Sequence, residues 1–277
     1  MHGTPGYGGR MTTLTFERHR AEILLQTTLL RDHVRGADLR APVPSCPGWN
    51  LGQLLRHVGG AHGWAETVVR TRAVGPVSDE QVNDVARFVD EDPDVLDAWL
   101  AVGAARLAEA LRGAGPRTRV WTPADGLEST DFWARRMAHE TLVHRFDAAL
   151  AAGVPYAAEA EVVADALDEW MEYAAFPEAY GAGPGRPALL GPGRTLCFWA
   201  TDADASWLVD LTGDRPGWRH GHGRAAVTVR GPLTDLLLFV YGRAAPDGGG
   251  VDVTGDEELV HVWRERAGFW LEADDSD

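Results

Sequence analysis

The run Ala138-His139-Glu140-Thr141-Leu142-Val143-His144 places a carboxylate and an imidazole four residues apart, one helical turn apart on one face if the segment is helical. Such a pair can converge on one ion at ~2.0–2.2 Å, but a third donor must come from another element. His57, midway along a second segment with an apolar stripe, supplies that donor if the two segments face each other. Two imidazoles and one carboxylate leave at least one coordination position open, as catalytic zinc sites do. Zinc is the divalent metal such a set implies, although the spacing also admits nickel, cobalt or iron. At the open position a thiol would become a thiolate, or a water a hydroxide. The same residues also describe a solvated helix ion pair and a satisfied core histidine, and their types alone leave those readings open.

The elements needed to position these groups are legible in the apolar periodicity. A first helix is expected from Thr13 to about Val34, with Leu14, Ile23, Leu24, Leu29 and Leu30 at helical spacing. The Pro-rich stretch APVPSCPGW interrupts it, and Asn50 can cap a second helix to about Arg72 that carries His57 beside Leu51, Leu54, Leu55 and Val58. A third is expected from Asp94 to Leu111, stopped by Gly113, Gly115 and Pro116. Ser129 or Thr130 caps a fourth, which holds Glu140 and His144 and closes at Gly153. Four such helices specify a four-helix bundle over residues 13–153, with inward-facing side chains available as metal ligands.

Residues 154–190 then read as a fifth helix, Ala157 to Ala175, and a GAGPGRP linker. From about 191 to 273 the texture changes to short β-rich segments (TLCFWAT, SWLVDL, AAVTVRG, VDVT) with two helices, Pro232–Tyr241 and Glu257–Ala267. The fold class is therefore α+β and multi-domain: a helical bundle followed by a smaller mixed domain. Residues 1–12, rich in glycine, are expected to be a disordered tail.

With 277 residues, two domains are the default. A formal charge of −15, with all 26 basic residues arginine, disfavours nucleic acid and anionic membrane surfaces as partners. The first residues lack the apolar core of a signal peptide, and no run of ~18 apolar residues occurs, so a cytoplasmic location is expected. Cys46 and Cys197 stand far apart and suggest no disulfide framework.

Other residues near the candidate donors invite roles. His139 lies ~100° around the helix from Glu140 and is expected to pack or to support the site indirectly, while His62 points ~140° away from His57 and is expected outside it. Asp147 can orient His144 through its second ring nitrogen, or pair with Arg145 or Arg136. Arg136, four residues before Glu140, can pair with it or welcome an anionic substrate. Cys46 is expected to pack, because no basic neighbour in sequence lowers its pKa. Trp49, Trp64, Trp133 and Trp170 are expected in the core or a domain interface.

The run from Pro44 to His57 (PSCPGWNLGQLLRH) and that from Arg135 to Asp147 (RRMAHETLVHRFD) resemble the mycothiol-dependent maleylpyruvate isomerase family. Gly231 to Arg243 (GPLTDLLLFVYGR) resembles that family's second domain. The resemblance spans residues 13–270. It implies a DinB-like metal-binding bundle followed by a sterol-carrier-like α+β domain, with His57, Glu140 and His144 at the metal-ligand positions and Arg243 as a catalytic arginine. It also implies mycothiol, a low-molecular-weight thiol of actinobacteria, as cosubstrate. The arginine-only composition suits a GC-rich genome of that kind. The expected activity is thiolate attack on a small electrophilic, anionic substrate, ending in cis–trans isomerisation or thiol transfer. Zinc-water hydrolysis and a non-catalytic, metal-bound small-molecule-binding or regulatory module are the competing expectations. Oligomeric state is not readable from the sequence.

Overall fold

The structure, a computed structural model, describes residues 14–83, 85–86, 92–181, 188–243 and 250–269. The expected N-terminal tail, most of the GAGPGRP linker (182–187) and the final EADDSD lie outside the described residues. The chain divides into two compact units, one spanning Leu14–Ala157 and the other beginning at Ala158.

In the first unit α1, α2 and α4 start where a side chain satisfies free N–H groups, whereas Ser129, at the expected cap of α5, makes no capping bond and the Thr130 hydroxyl donates to Gly115 O instead. Helix α1 (Phe16–Val34) is capped by Thr15, whose hydroxyl accepts from the Arg18 N–H at 3.2 Å. Helix α2 (Leu51–Thr71) opens with a full capping box: Asn50 accepts from the Gln53 N–H (2.8 Å), and the Gln53 side chain accepts from the Asn50 N–H (2.9 Å). A short helix α3 (Glu80–Asn83), not expected from periodicity, precedes α4 (Pro93–Ala114). Asp92 caps α4 through the Asp94 and Val95 N–H groups, with Pro93 in the first turn. Helix α4 runs through Gly113, past its expected end at Leu111, and stops at Gly115 (φ 76°). An interior glycine costs only ~1 kcal/mol, and the fully buried Leu111 anchors the last turn. Helix α5 (Thr130–Ala152) ends on Gly153, in the left-handed conformation expected of a helix C-cap.

These four long helices form the bundle. Helix α1 packs on α5 and α4, and α2 packs on α4 and α5, so the order around the barrel of helices is α1, α5, α2, α4. Adjacency of α2 and α5 is the feature that brings His57 opposite Glu140 and His144. The core has two apolar layers, one around Ile23, Val68, Leu107, Leu111 and Trp133 and the other around Leu51, Leu54, Leu55, Val58, Leu96 and Leu100. Each such side chain contributes ~1.5–3 kcal/mol on burial. At the α2–α4 crossing the Trp99 ring occupies the space that a Cβ on Gly59 would need, so only glycine lets the helices approach this closely.

The second unit contains α6 (Ala160–Tyr173), the short α7 (Pro177–Tyr180), α8 (Leu233–Val240), α9 (Glu257–Ala267) and a five-stranded sheet. Its strands are β1 (Thr195–Ala200), β2 (Ser206–Asp210), β3 (Gly217–His220), β4 (Val227–Gly231) and β5 (Asp252–Gly255), in the order β3-β2-β1-β4-β5. Strand β1 runs parallel to β4, and the other pairs are antiparallel. The register puts Leu196, Phe198, Trp207, Val209, Val227 and Val229 on one face, all buried. Helix α8 packs on β1 and β4 and also on α6, and α9 packs on β4. The expected fifth helix is thus part of this unit, two to three residues shorter at each end than its apolar pattern suggests. Among the described residues no helix is long and apolar enough to cross a membrane.

Candidate metal centre

The segment before α2 sets where His57 lies. It closes on itself through Val43 N–H to Trp49 O, Cys46 N–H to Val43 O and Trp49 N–H to Cys46 O, with Gly48 at φ 86° and a bridge between Pro42 and Asn50. From that anchored start, His57 falls on the second turn of α2, 5% exposed. Its Nδ1 lies 3.0 Å from Val82 O on α3. A carbonyl oxygen can only accept, so Nδ1 carries a hydrogen, and in the neutral ring Nε2 then presents a lone pair. That Nε2 lies 3.1 Å from Glu140 Oε1 on α5.

His144, one turn beyond Glu140, repeats the arrangement. Its Nδ1 donates to Asp147 Oδ2 at 2.8 Å, and its Nε2 lies 3.0 Å from the same Glu140 Oε1. Three groups that are acceptors in the neutral-imidazole state therefore converge on one point, and only a cation or added protons can reconcile them. Their donor atoms all lie within 4.8 Å of one another. Separations of 3.0–3.1 Å are close to the ~3.3 Å edge of a tetrahedron with ~2.0 Å bonds, so the donor set fits a small divalent ion. Carboxylate or carbonyl support of each second ring nitrogen is the usual companion of metal-bound histidine.

The remaining carboxylate oxygen, Glu140 Oε2, is held by Arg136 at 3.0 Å, which leaves Oε1 as the oxygen facing both imidazoles. Glu140 and His144 keep 17% and 11% of their side chains exposed, enough of an opening for a small ligand to reach them. Electrostatics follow the geometry. Burial alone would raise the Glu140 carboxyl, but the charge of His144, hydrogen bonds from His144 and His57, and the Arg136 guanidinium hold it well below the ordinary range. Burial likewise disfavours the His144 cation, yet the Glu140 charge and the bonds with Asp147, Cys46 and Glu140 hold its pKa well above the ordinary value.

The other residues singled out in the sequence distribute as follows. His139 is fully buried and meets His19 edge-on at 5.8 Å rather than joining the Glu140 cluster. His62 stays outside the cluster, buried, with Nε2 2.8 Å from Thr141 Oγ1. Trp49 lies 4.9 Å from the His57 ring. Trp64 and Trp133 stack edge-on in the bundle core, and Trp170 meets Tyr241 in the second unit. Arg243 follows Gly242 (φ 75°) at the end of α8 and donates to Tyr241 O at 2.9 Å. Cys46 is the residue whose place the sequence hid. Its thiol points at Asp147 Oδ2, 3.5 Å away across 101 residues, beside His144. Only its position in the loop that starts the His57 helix could have signalled this.

A four-helix bundle with inward-facing His, Glu and His, followed by an α+β unit, is consistent with a DinB-like bundle carrying an added C-terminal domain. Residues 21–149 match the family model of the mycothiol maleylpyruvate isomerase N-terminal domain, and residues 161–261 match that of the family's C-terminal domain. The chain belongs to the mycothiol-dependent maleylpyruvate isomerase family. Two crystal structures are similar in fold: the mycothiol-dependent maleylpyruvate isomerase (TM-score 0.58, 16% identity) and its variant with one histidine changed to alanine (TM-score 0.61, 17% identity). Each likeness covers 89% of this chain and 95% of the other. No curated protein matches the sequence significantly.

Proposed function

We propose that this chain is a metal-dependent enzyme that uses a low-molecular-weight thiol, mycothiol, against a small electrophilic and anionic substrate. His57, Glu140 and His144 hold one divalent ion, zinc by the chemistry of two imidazoles and a carboxylate. The observation that carries the reading is the convergence of His57 Nε2, Glu140 Oε1 and His144 Nε2, with each Nδ1 already committed elsewhere. A divalent ion bound there stabilises a coordinated thiol as thiolate at neutral pH.

The protein's own groups supply the rest. Val82 O and Asp147 keep both imidazoles in the tautomer that offers Nε2 inward, so no reorganisation is needed when the ion enters. Arg136 restrains Glu140 to a single facing oxygen, which preserves room for the thiol. Arg243 binds the substrate's anionic group, a role that rests on its match to the family's arginine position. Addition of thiolate to a carbon–carbon double bond, rotation about the resulting single bond and expulsion of the thiolate isomerises cis to trans with no net change of atoms. Displacement of a leaving group instead completes a thiol transfer.

The test is a proton-release titration. Mycothiol added to metal-loaded protein near neutral pH should release about one proton per chain, and none when the metal has been removed. Equal release in both forms would show that sulfur never reaches the ion. Turnover of an ester or amide without thiol would then favour the hydrolase, and tight small-molecule binding without turnover a non-catalytic module.

A further inference from the structure

We infer that Cys46 is a positioning residue of the metal centre, acting through Asp147 on His144. This rests on the proposed metal site and deepens it. Asp147 is a wholly buried carboxylate (0% exposed), and such a group is stable only where donors satisfy it. One of its oxygens, Oδ2, accepts both the His144 Nδ1–H (2.8 Å) and the Cys46 S–H (3.5 Å). The thiol therefore bears on the same atom that fixes the orientation and tautomer of His144.

The choice of sulfur has a physical reason. A thiol is a weak donor, so it steadies Asp147 without drawing off the charge that makes the carboxylate a strong acceptor for the imidazole. Its long C–S bond also lets a loop residue reach Asp147 on α5. The loop is built to hold it there: Pro44 and Pro47 fix φ on either side, Gly48 makes the left-handed turn, and three backbone bonds tie Val43, Cys46 and Trp49 together. The same loop lays Trp49 against His57. One short segment thus lays Trp49 against one imidazole and sets Cys46 beside the other, bearing on it both directly and through Asp147. This gives the PSCPGW run a job in the site rather than in packing alone.

The experiment is chelator competition for zinc on the full chain, comparing wild type with Cys46→Ala, Cys46→Ser and Asp147→Asn, alongside melting of each metal-free protein and the absorption spectrum of each cobalt-loaded one. Asp147→Asn should weaken zinc binding by about 10–100-fold, Cys46→Ala by about tenfold and Cys46→Ser by less, because a hydroxyl still donates. The metal-free Cys46 variants should melt together with wild type, because the thiol is a weak donor and His144 still satisfies Asp147, and no sulfur-to-cobalt charge-transfer band should appear in wild type. Unchanged affinity in Cys46→Ala overturns the inference, as does a loss of metal-free stability large enough to account for the weakened binding. A charge-transfer band lost in Cys46→Ser also overturns it, since Cys46 would then be a ligand itself. Failure of wild type to bind zinc would instead overturn the metal site.

Discussion

Helices α5 and α8 are both buried almost all round, yet they are buried by opposite means. Helix α8 presents Leu233, Leu236, Leu237, Leu238 and Val240 to its unit, an apolar segment whose burial needs nothing but neighbours of the right size. Helix α5 buries Arg136, His139, His144, Arg145 and Asp147 along with its apolar residues. Each of those polar groups must be matched, within the helix for Arg136 with Glu140 and His144 with Asp147, and from a distant part of the chain for Arg145. Arg145 alone donates to Gln26 Oε1 and Ala157 O, both at 2.7 Å, and lies over the Tyr156 ring. Polar burial of this kind is a poor way to gain stability and a good way to hold donors in fixed geometry. The contrast separates a unit that packs from a helix that carries a site.

Isosteric exchange should break the comparison most visibly. Arg145→Met keeps volume but strands Gln26 Oε1 and Ala157 O, and should destabilise the first unit by about 3–5 kcal/mol. Leu236→Met in α8, also fully buried, should cost less than about 1.5 kcal/mol. Denaturant unfolding of both variants measures the difference, and equal losses would erase the distinction.

That contrast also explains what could be read from the sequence. The long helices were legible because of their apolar periodicity and because some ends carry local chemistry: Asn50 before α2 and Gly153 after α5. The Glu140–His144 spacing was legible for the same reason, being a property of one helix. Helix α3 was not, since four residues carry no periodicity, and its Val82 carbonyl is what orients His57. Strand β3 was hidden because Trp218 and His220 on its covered face give no apolar alternation. Cys46 meets Asp147 across 101 residues of sequence, and no local pattern encodes a contact of that separation.

A smaller effect concerns pH. Thr141 Oγ1 donates to Met137 O, so it accepts from His62 Nε2–H, and burial pushes the His62 pKa down to about 4. The unfolded chain takes up this proton near pH 6.5 and the folded chain only near 4, so stability should fall as pH drops across that window, by up to ~3 kcal/mol from this group. Replacing His62 with Gln should flatten that part of the stability profile. A profile of unchanged slope would place the acid sensitivity elsewhere.

Smaller still is the effect expected in the second unit at Arg243. Arg243→Lys keeps the charge but loses the planar fork, and turnover should fall by roughly 2 kcal/mol of transition-state binding, about 30-fold, with metal content and melting temperature unchanged. A matching loss of stability would mark Arg243 as a helix-end cap instead.

The account stands most directly on metal stoichiometry. Zinc titrated into metal-free protein, followed by calorimetry, should bind at one site per chain in wild type and at none in His57→Ala, Glu140→Ala or His144→Ala, with all three variants still folded because the bundle has its own apolar core. One full equivalent of tightly bound zinc in all three variants would contradict the assignment of these residues as the ligands.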